Sequence, residues 1–130
     1  MNIQGVCPVL SVPFHKNGEV DYQSFKSLVT WITSLGTKSV LFFGVASENI
    51  KLSDDERYKL LEILLTQRSG SGMKVIASVA DHSAELAVKR ARDYEKMGVD
   101  FINILPPTFF NPTTAQINHH ISSILSSVKL

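Results

Sequence analysis

Short apolar runs alternate with stretches of helical periodicity four times along this chain. The apolar runs predict strands at 5–12, 39–43, 74–79 and 101–105. Each run precedes a stretch whose apolar residues recur every three or four positions, as they do on one face of a helix. Strands that alternate with helices form a parallel sheet with right-handed crossovers, and such strands are buried on both faces. The pattern therefore predicts an α/β protein built from four strand–helix units.

Residues that favour helix ends mark the boundaries of the four predicted helices. Ser53 and Glu56 have the spacing of a capping box, and Gly36 and Gly98 are placed to end the first and third helices. The predicted N-terminal caps are Asp21, Ser53, Ser83 and Thr113 or Thr114. The predicted buried faces are Phe25, Leu28, Val29 and Ile32; Tyr58, Leu61, Leu64 and Leu65; Ala84, Ala87, Val88, Ala91 and Tyr94; and Ile117, Ile121, Ile124, Leu125 and Val128.

Two architectures fit this pattern equally well. Four units make half of an eight-unit barrel, and they also make a four-stranded doubly wound sheet. Both architectures bind ligands at the C-terminal ends of their strands. The segment after the second predicted strand, Gly44–Glu48, is a small-residue turn that ends in a carboxylate and leads into the next helix. It is the first candidate for a binding site.

The amino-acid composition argues against some classes of binding partner. The chain of 130 residues is 44% apolar and 19% charged, with a net charge of +1. We expect no nucleic-acid partner, because there is no basic field, and no membrane partner, because no apolar run approaches the roughly 18 residues of a membrane helix. The single cysteine, Cys7, is expected to be a buried thiol, and a free thiol fits a reducing cytoplasm.

An ordered series of short motifs is more specific than the alternation of strands and helices. The motifs are Pro13-Phe14, Gly18–Asp21, Gly44–Glu48, Leu52–Arg57, Gly98–Asp100, Pro107 and Phe109–Pro112. Together they resemble the dihydrodipicolinate synthase / N-acetylneuraminate lyase family, whose members are pyruvate-handling class I aldolases and lyases on a TIM barrel. The resemblance covers essentially the whole chain. It implies a single domain over 1–130 that forms the parallel (βα)4 half of a TIM (β/α)8 barrel, with no cofactor and no metal.

The resemblance also implies a substrate and a set of binding residues. In this family a glycine-threonine-threonine-glycine-glutamate turn grips the carboxylate of pyruvate or a related 2-keto acid. A lysine on the sixth strand forms a Schiff base with the keto carbon, and a tyrosine from the fifth strand relays protons. The implied substrate-binding residues are Gly44, Val45, Ala46, Ser47, Glu48 and Phe109. The family aromatic at the position of Phe109 reaches across a subunit interface, although packing alone would also explain this residue.

The turn departs from the family pattern. Val45 and Ala46 stand where the family has threonines, so two hydroxyls and the proton relay through them are missing. Ser47 stands at the second glycine, and its hydroxyl is expected to point elsewhere. Glu48 is expected to brace the loop rather than to touch substrate.

No catalytic residue is assigned within this chain. The resemblance places the strand-five tyrosine and the strand-six lysine beyond Leu130. Lys38 and Lys74 are expected at N-terminal strand ends, and Lys51 is expected in a loop beyond the turn with no evident pocket to bury its amine.

Several polar residues favour structural interpretations. Asp81 and His82 are expected to form a polar loop rather than a catalytic pair. His119 and His120 are adjacent on a helix, so they cannot easily share a metal and are expected at the surface. Ser78 and Asn103 are expected to be polar core residues.

Three functions remain open at this stage. The chain is expected to be the N-terminal part of a pyruvate-dependent class I aldolase or lyase, inactive alone because its Schiff-base lysine and strand-five tyrosine are absent. The alternative is a non-catalytic relative that acts as a carboxylate-binding or assembly module. A small doubly wound domain is disfavoured, because no phosphate loop or acidic cluster at the strand tips is evident. Two open sheet edges predict a homo-oligomer or a missing C-terminal half.

Overall fold

Four helices and three strands alternate along residues 3–109 and 111–130, which the computed structural model describes. In chain order they are α1 (Tyr22–Ser34), β1 (Ser39–Phe42), α2 (Asp54–Gln67), β2 (Lys74–Val79), α3 (Ala84–Met97), β3 (Phe101–Ile104) and α4 (Thr114–Leu125). The strands form a sheet in the order β1-β2-β3, and β2 runs parallel to β3 with Ile76 opposite Phe101. None of the helices in these ranges is long and apolar enough to cross a bilayer.

Contacts divide the chain into two compact units, Met1–Val75 and Ile76–Leu130. Each unit is described by itself below. The organisation of residues 1–130 as a single domain stays a prediction.

The predicted first strand, at 5–12, is wrong as a strand. This segment makes one isolated parallel bridge, between Val9 and Leu41. The amide of Leu10 donates to the carbonyl of Leu41 at 2.9 Å, and the amide of Leu41 donates to the carbonyl of Pro8 at 2.9 Å. Pairing extends no further along the segment, since Pro8 has no N–H to donate and Gly5 has a positive φ of 84°.

The other three predicted strands are confirmed, with small changes at their C-terminal ends. β2 has the predicted bounds, whereas β1 and β3 each end one residue earlier than predicted. Phe43 leaves the strand conformation because its φ is +61°. Leu105 follows β3 and still donates its amide to the carbonyl of Val79 at 2.9 Å.

The predicted helix ends are confirmed. The side chains of Asp21 and Ser83 accept hydrogen bonds from the first turns of α1 and α3. Ser53 with Glu56, and Thr113 with Gln116, form complete capping boxes at α2 and α4. The capping hydrogen bonds hold the pKa of the Glu56 carboxyl below its usual range. Helix starts are local features, which is why sequence places them well.

The core of the first unit lies between α1, α2 and β1. Phe25, Phe42 and Phe43 stack in series, with ring centroids 5.1 Å and 4.0 Å apart. The helices add Val29, Ile32, Leu60, Leu61 and Leu64 to this buried core. Leu28, Tyr58 and Leu65 were predicted to be buried and are half-buried. Cys7, also predicted to be buried, is half-buried.

In the second unit α3 packs on α4, and the buried residues of these helices are Ala87, Arg90, Ala91, Tyr94, His120 and Ile124. Two predictions for α4 are wrong. Leu125 is exposed, and His120, predicted at the surface, is only 3% exposed. Positions 120 and 124 are one turn apart on the helix, so they share the centre of the buried stripe, and Leu125 falls outside it. Ala84, Val88, Ile117, Ile121 and Val128 are half-buried.

Candidate functional site

The candidate site is the turn that follows β1 in the first unit. Gly44 is extended, Val45–Ser47 form one turn of 3-10 helix, and Glu48 has a left-handed conformation with φ of +53°. The amides of Ser47 and Glu48 donate to the carbonyls of Gly44 and Val45 at 3.0 and 3.1 Å. The turn therefore uses two of its N–H groups internally, and those of Val45 and Ala46 lie outside its own hydrogen bonds.

Close packing explains the glycine at position 44. A Cβ atom placed there would lie 3.3 Å from Cγ1 of Val9 and 3.5 Å from Cδ2 of Leu41. The backbone of Gly44 therefore passes close to the neighbouring side chains, and a Cβ atom here would require the side chain of Val9 to shift by a few tenths of an ångström.

Buried hydrogen bonds fix the turn to the rest of the first unit. The hydroxyl of Ser47, which is fully buried, donates to the carbonyl of Leu10 at 2.6 Å. The prediction that this hydroxyl points elsewhere is confirmed. The side-chain amide of Asn49 donates to the backbone carbonyl of Phe43 at 2.8 Å. The guanidinium of Arg57 donates to the backbone carbonyl of Asn49 at 2.7 Å.

The bracing role expected of Glu48 falls mainly to these neighbours. The Glu48 carboxylate pairs with the ammonium group of Lys51, and both side chains are substantially exposed. Sequence analysis missed Asn49 and Arg57 as supports of the loop. A buried asparagine beside a left-handed residue leaves no periodic signal by which it could have been found.

Exposed apolar side chains lie on the outer surface of the loop, beside the exposed ion pair of Glu48 and Lys51. Val45 is 84% exposed and Ile50 is 88% exposed, while Ala46 between them is also exposed. The loop thus presents free backbone donors and small apolar side chains, with no side-chain hydroxyl beside them.

Phe109 and the loop after β2 belong to the second unit. Phe109 is 76% exposed, and its ring lies edge-on to the imidazole of His82 with centroids 6.2 Å apart. Phe110 lies outside the described residues. Ser78 is buried, as predicted, and accepts a hydrogen bond from the side-chain amide of Asn103 at 3.0 Å. Asn103 was also predicted to be a core residue and is half-buried.

The expectation that Asp81 belongs to a structural loop is confirmed by its ion pair. Arg90 donates from Nε and from one terminal nitrogen to the two carboxylate oxygens of Asp81, at 2.6 and 2.9 Å. The two side chains are only 11% and 10% exposed. This bidentate pair ties the loop after β2 to the middle of α3.

Comparisons with known proteins agree on one family. The model of the dihydrodipicolinate synthetase family matches residues 2–130. The 4-hydroxy-tetrahydrodipicolinate synthase of Rhizobium meliloti is 33% identical over 127 residues, which are 98% of this chain and 43% of that protein. The corresponding enzyme of Methanococcus aeolicus is 30% identical over 128 residues, which are 98% of this chain and 44% of that protein. The chain thus spans less than half the length of these relatives.

Solved structures show the same fold. The dihydrodipicolinate synthase of Aquifex aeolicus superposes with a TM-score of 0.91 at 26% identity, over 98% of this chain and 43% of that chain. The N-acetylneuraminate lyase of Mycoplasma synoviae superposes with a TM-score of 0.87 at 18% identity, over 95% of this chain and 42% of that chain. At this level of identity the likeness shows only that the fold is shared. The predicted fold class, the N-terminal part of a TIM barrel, is confirmed. The chain belongs to the dihydrodipicolinate synthetase family.

Proposed function

We propose that this chain is the N-terminal part of a pyruvate-dependent class I aldolase or lyase, and that the turn at 44–48 holds the carboxylate of a 2-keto acid. The observation that supports this most directly is the 3-10 turn at Val45–Ser47, which has two N–H groups outside its own hydrogen bonds. Backbone donors gathered in a tight turn favour an anion, because several N–H dipoles point to one place.

Chemistry on the bound keto acid needs an amine that is nucleophilic at neutral pH. Lys51 is paired with Glu48 at an exposed position, Lys38 precedes β1, and Lys74 is the first residue of β2. None of these positions suits a Schiff-base lysine at the C-terminal end of a barrel strand. We therefore propose that the chain binds the carboxylate weakly and that it performs no aldol chemistry alone.

The binding proposal is tested by titrating the isotopically labelled chain with pyruvate and following its backbone amide signals. We expect the amides of Val45 and Ala46 to shift saturably at millimolar pyruvate. Val45→Thr should tighten binding roughly fivefold, because one added hydroxyl can donate to the carboxylate for about 1 kcal/mol. Ile50→Thr, an equally exposed change in the same loop, is the control and should leave the affinity unchanged. Shifts that spread over the chain without involving 45–46 would refute the carboxylate site.

The second candidate function is a non-catalytic module that binds carboxylates or assembles with other copies. It is favoured by one observation, the replacement of both hydroxyl positions by Val45 and Ala46. The two candidates differ in what a longer chain does. If the chain is part of an aldolase, a longer chain that includes the lysine-bearing strands should turn over substrate. If it is a non-catalytic module, the longer chain should show no turnover.

We further propose that the chain self-associates and works in the cytoplasm, where its one thiol would stay reduced. Support for self-association comes from β3, which pairs only with β2 among the described strands and whose residues are all half-exposed despite three apolar side chains. Val6, at 82% exposed, adds apolar surface in the first unit. Open strand edges with apolar faces favour association.

Sedimentation velocity at dilute concentration tests the self-association. We expect a dimer or larger species that dissociates on dilution, and a melting temperature that rises with protein concentration. A monomer that melts cooperatively at a concentration-independent temperature would contradict the proposal.

A further inference from the structure

A cavity of about 450 Å³ lies within the second unit, beside the first turns of α3 and α4. Its walls include the imidazoles of His82, His119 and His120 and the apolar residues Ala84, Pro107 and Pro112. Small-molecule pockets typically have volumes of about 300–1,000 Å³. No aspartate or glutamate is among the described residues that line the cavity.

Side-chain hydrogen-bond donors that are available to a ligand lie around this cavity. The amide oxygen of Gln116 accepts from the backbone N–H of Thr113 at 2.8 Å. A backbone N–H can only donate, so the oxygen of Gln116 is fixed on that side and its NH₂ group is left as a donor on a residue that lines the cavity. His82 and His119 are exposed, so their ring nitrogens are accessible to a ligand.

His120 is the buried part of the wall. Its Nε2 atom is buried and has no hydrogen-bond partner among the described residues. Burial lowers the pKa of this imidazole, and the nearby carboxylate of Asp81 opposes that shift less strongly. A buried polar atom that the chain leaves unsatisfied points to a partner supplied from outside the chain.

The electrostatic surroundings favour negative charge. Ala84 is the first residue of α3 and Ala115 the second residue of α4, so the positive ends of two helix dipoles lie at the cavity. Of the two acids near the cavity, Asp81 is neutralised by Arg90, which donates to both of its carboxylate oxygens. Glu85 keeps its negative charge, accepts a hydrogen bond from the hydroxyl of Ser83 at 2.6 Å and interacts electrostatically with His119.

We propose that this cavity binds a small organic anion. Its oxyanion takes hydrogen bonds from the imidazoles of His82 and His119 and from the amide of Gln116. Its apolar part lies against Ala84 and the two prolines. The site belongs to the second unit alone, whereas the turn at 44–48 belongs to the first, so this proposal does not rest on the proposed function.

The probe is benzoate, which joins a carboxylate to a flat apolar ring, and its neutral isostere is benzamide. Histidine side-chain NMR signals of the 130-residue chain are followed during each titration. We expect benzoate to shift the signals of His82 and His119 saturably at millimolar concentration and to bind at least about tenfold more tightly than benzamide. Inorganic phosphate, which lacks the apolar part, should shift the same signals with weaker affinity.

His82→Gln and His119→Gln change exposed side chains, so both variants should fold, which circular dichroism verifies. Each is expected to weaken benzoate binding about three- to tenfold, the effect of one lost hydrogen bond. His15→Gln, an exposed histidine of the first unit, is the matched control and should bind as the parent chain does. Equal affinity for benzoate and benzamide, or unchanged affinity in both variants, would overturn the proposal. Pyruvate shifts at 45–46 are read separately, so either site can fail without the other.

Discussion

Replacing Asp81 by alanine is expected to lower the free energy of unfolding by about 3–5 kcal/mol, because the change leaves the buried guanidinium of Arg90 without its carboxylate. Both side chains are about nine-tenths buried, and two short hydrogen bonds join them. Most of this cost arises because a buried guanidinium loses its counter-charge, and not from the net worth of the pair. Urea denaturation at fixed protein concentration measures the change.

A matched control lies on the same helix. Lys89 is an exposed residue that pairs with the half-buried Asp93 at 3.0 Å, so Lys89→Ala should cost no more than about 0.5 kcal/mol. If Asp81→Ala and Lys89→Ala destabilise the chain equally, Asp81 and Arg90 do not form a buried pair in solution, and the loop after β2 is not fixed by it.

Replacing Phe42 by alanine is expected to cost a similar amount, about 3–5 kcal/mol. Phe42 is fully buried in the middle of the aromatic series, between Phe25 and Phe43. The substitution removes two ring contacts at once and leaves a cavity that its stacked neighbours cannot close without moving β1. The same denaturation experiment measures it.

Phe109→Ala is the control for the loss of an aromatic ring. Its side chain is 76% exposed, so the free energy of unfolding should change by less than about 0.5 kcal/mol. If Phe109→Ala lowered the free energy of unfolding as much as the roughly 3–5 kcal/mol expected for Phe42→Ala, the ring of Phe109 would have to be covered in solution. That result would identify an interface at Phe109.

The parts of the fold that were predicted correctly depend mostly on interactions between residues close together in the sequence. The caps at Asp21, Ser53, Ser83 and Thr113 depend on contacts within three or four residues, and all four form. The first predicted strand failed because a strand needs a continuous series of amides that pair with its neighbour. Pro8 has no N–H and Gly5 has a positive φ, so the segment makes a single bridge to β1.

The supports of the candidate site were harder to predict than its position. The turn was found because small residues follow an apolar strand. The bonds that hold it run from Ser47 to Leu10 and from Arg57 to Asn49, and neither pair has a sequence spacing that predicts contact. His120 was missed because adjacent histidines on a helix point about 100° apart, so one faced solvent and the other faced the core.

Reduction with borohydride in the presence of pyruvate, followed by intact mass measurement, tests the absence of a Schiff-base lysine from these 130 residues. An imine reduced in place leaves a pyruvyl-derived group permanently on the amine. We expect the mass of 14.4 kDa to stay unchanged beyond the background labelling of the same chain unfolded in urea. A single added group, formed only by the folded chain and mapped to one lysine, would show that this chain carries its own reactive amine and would contradict the proposal.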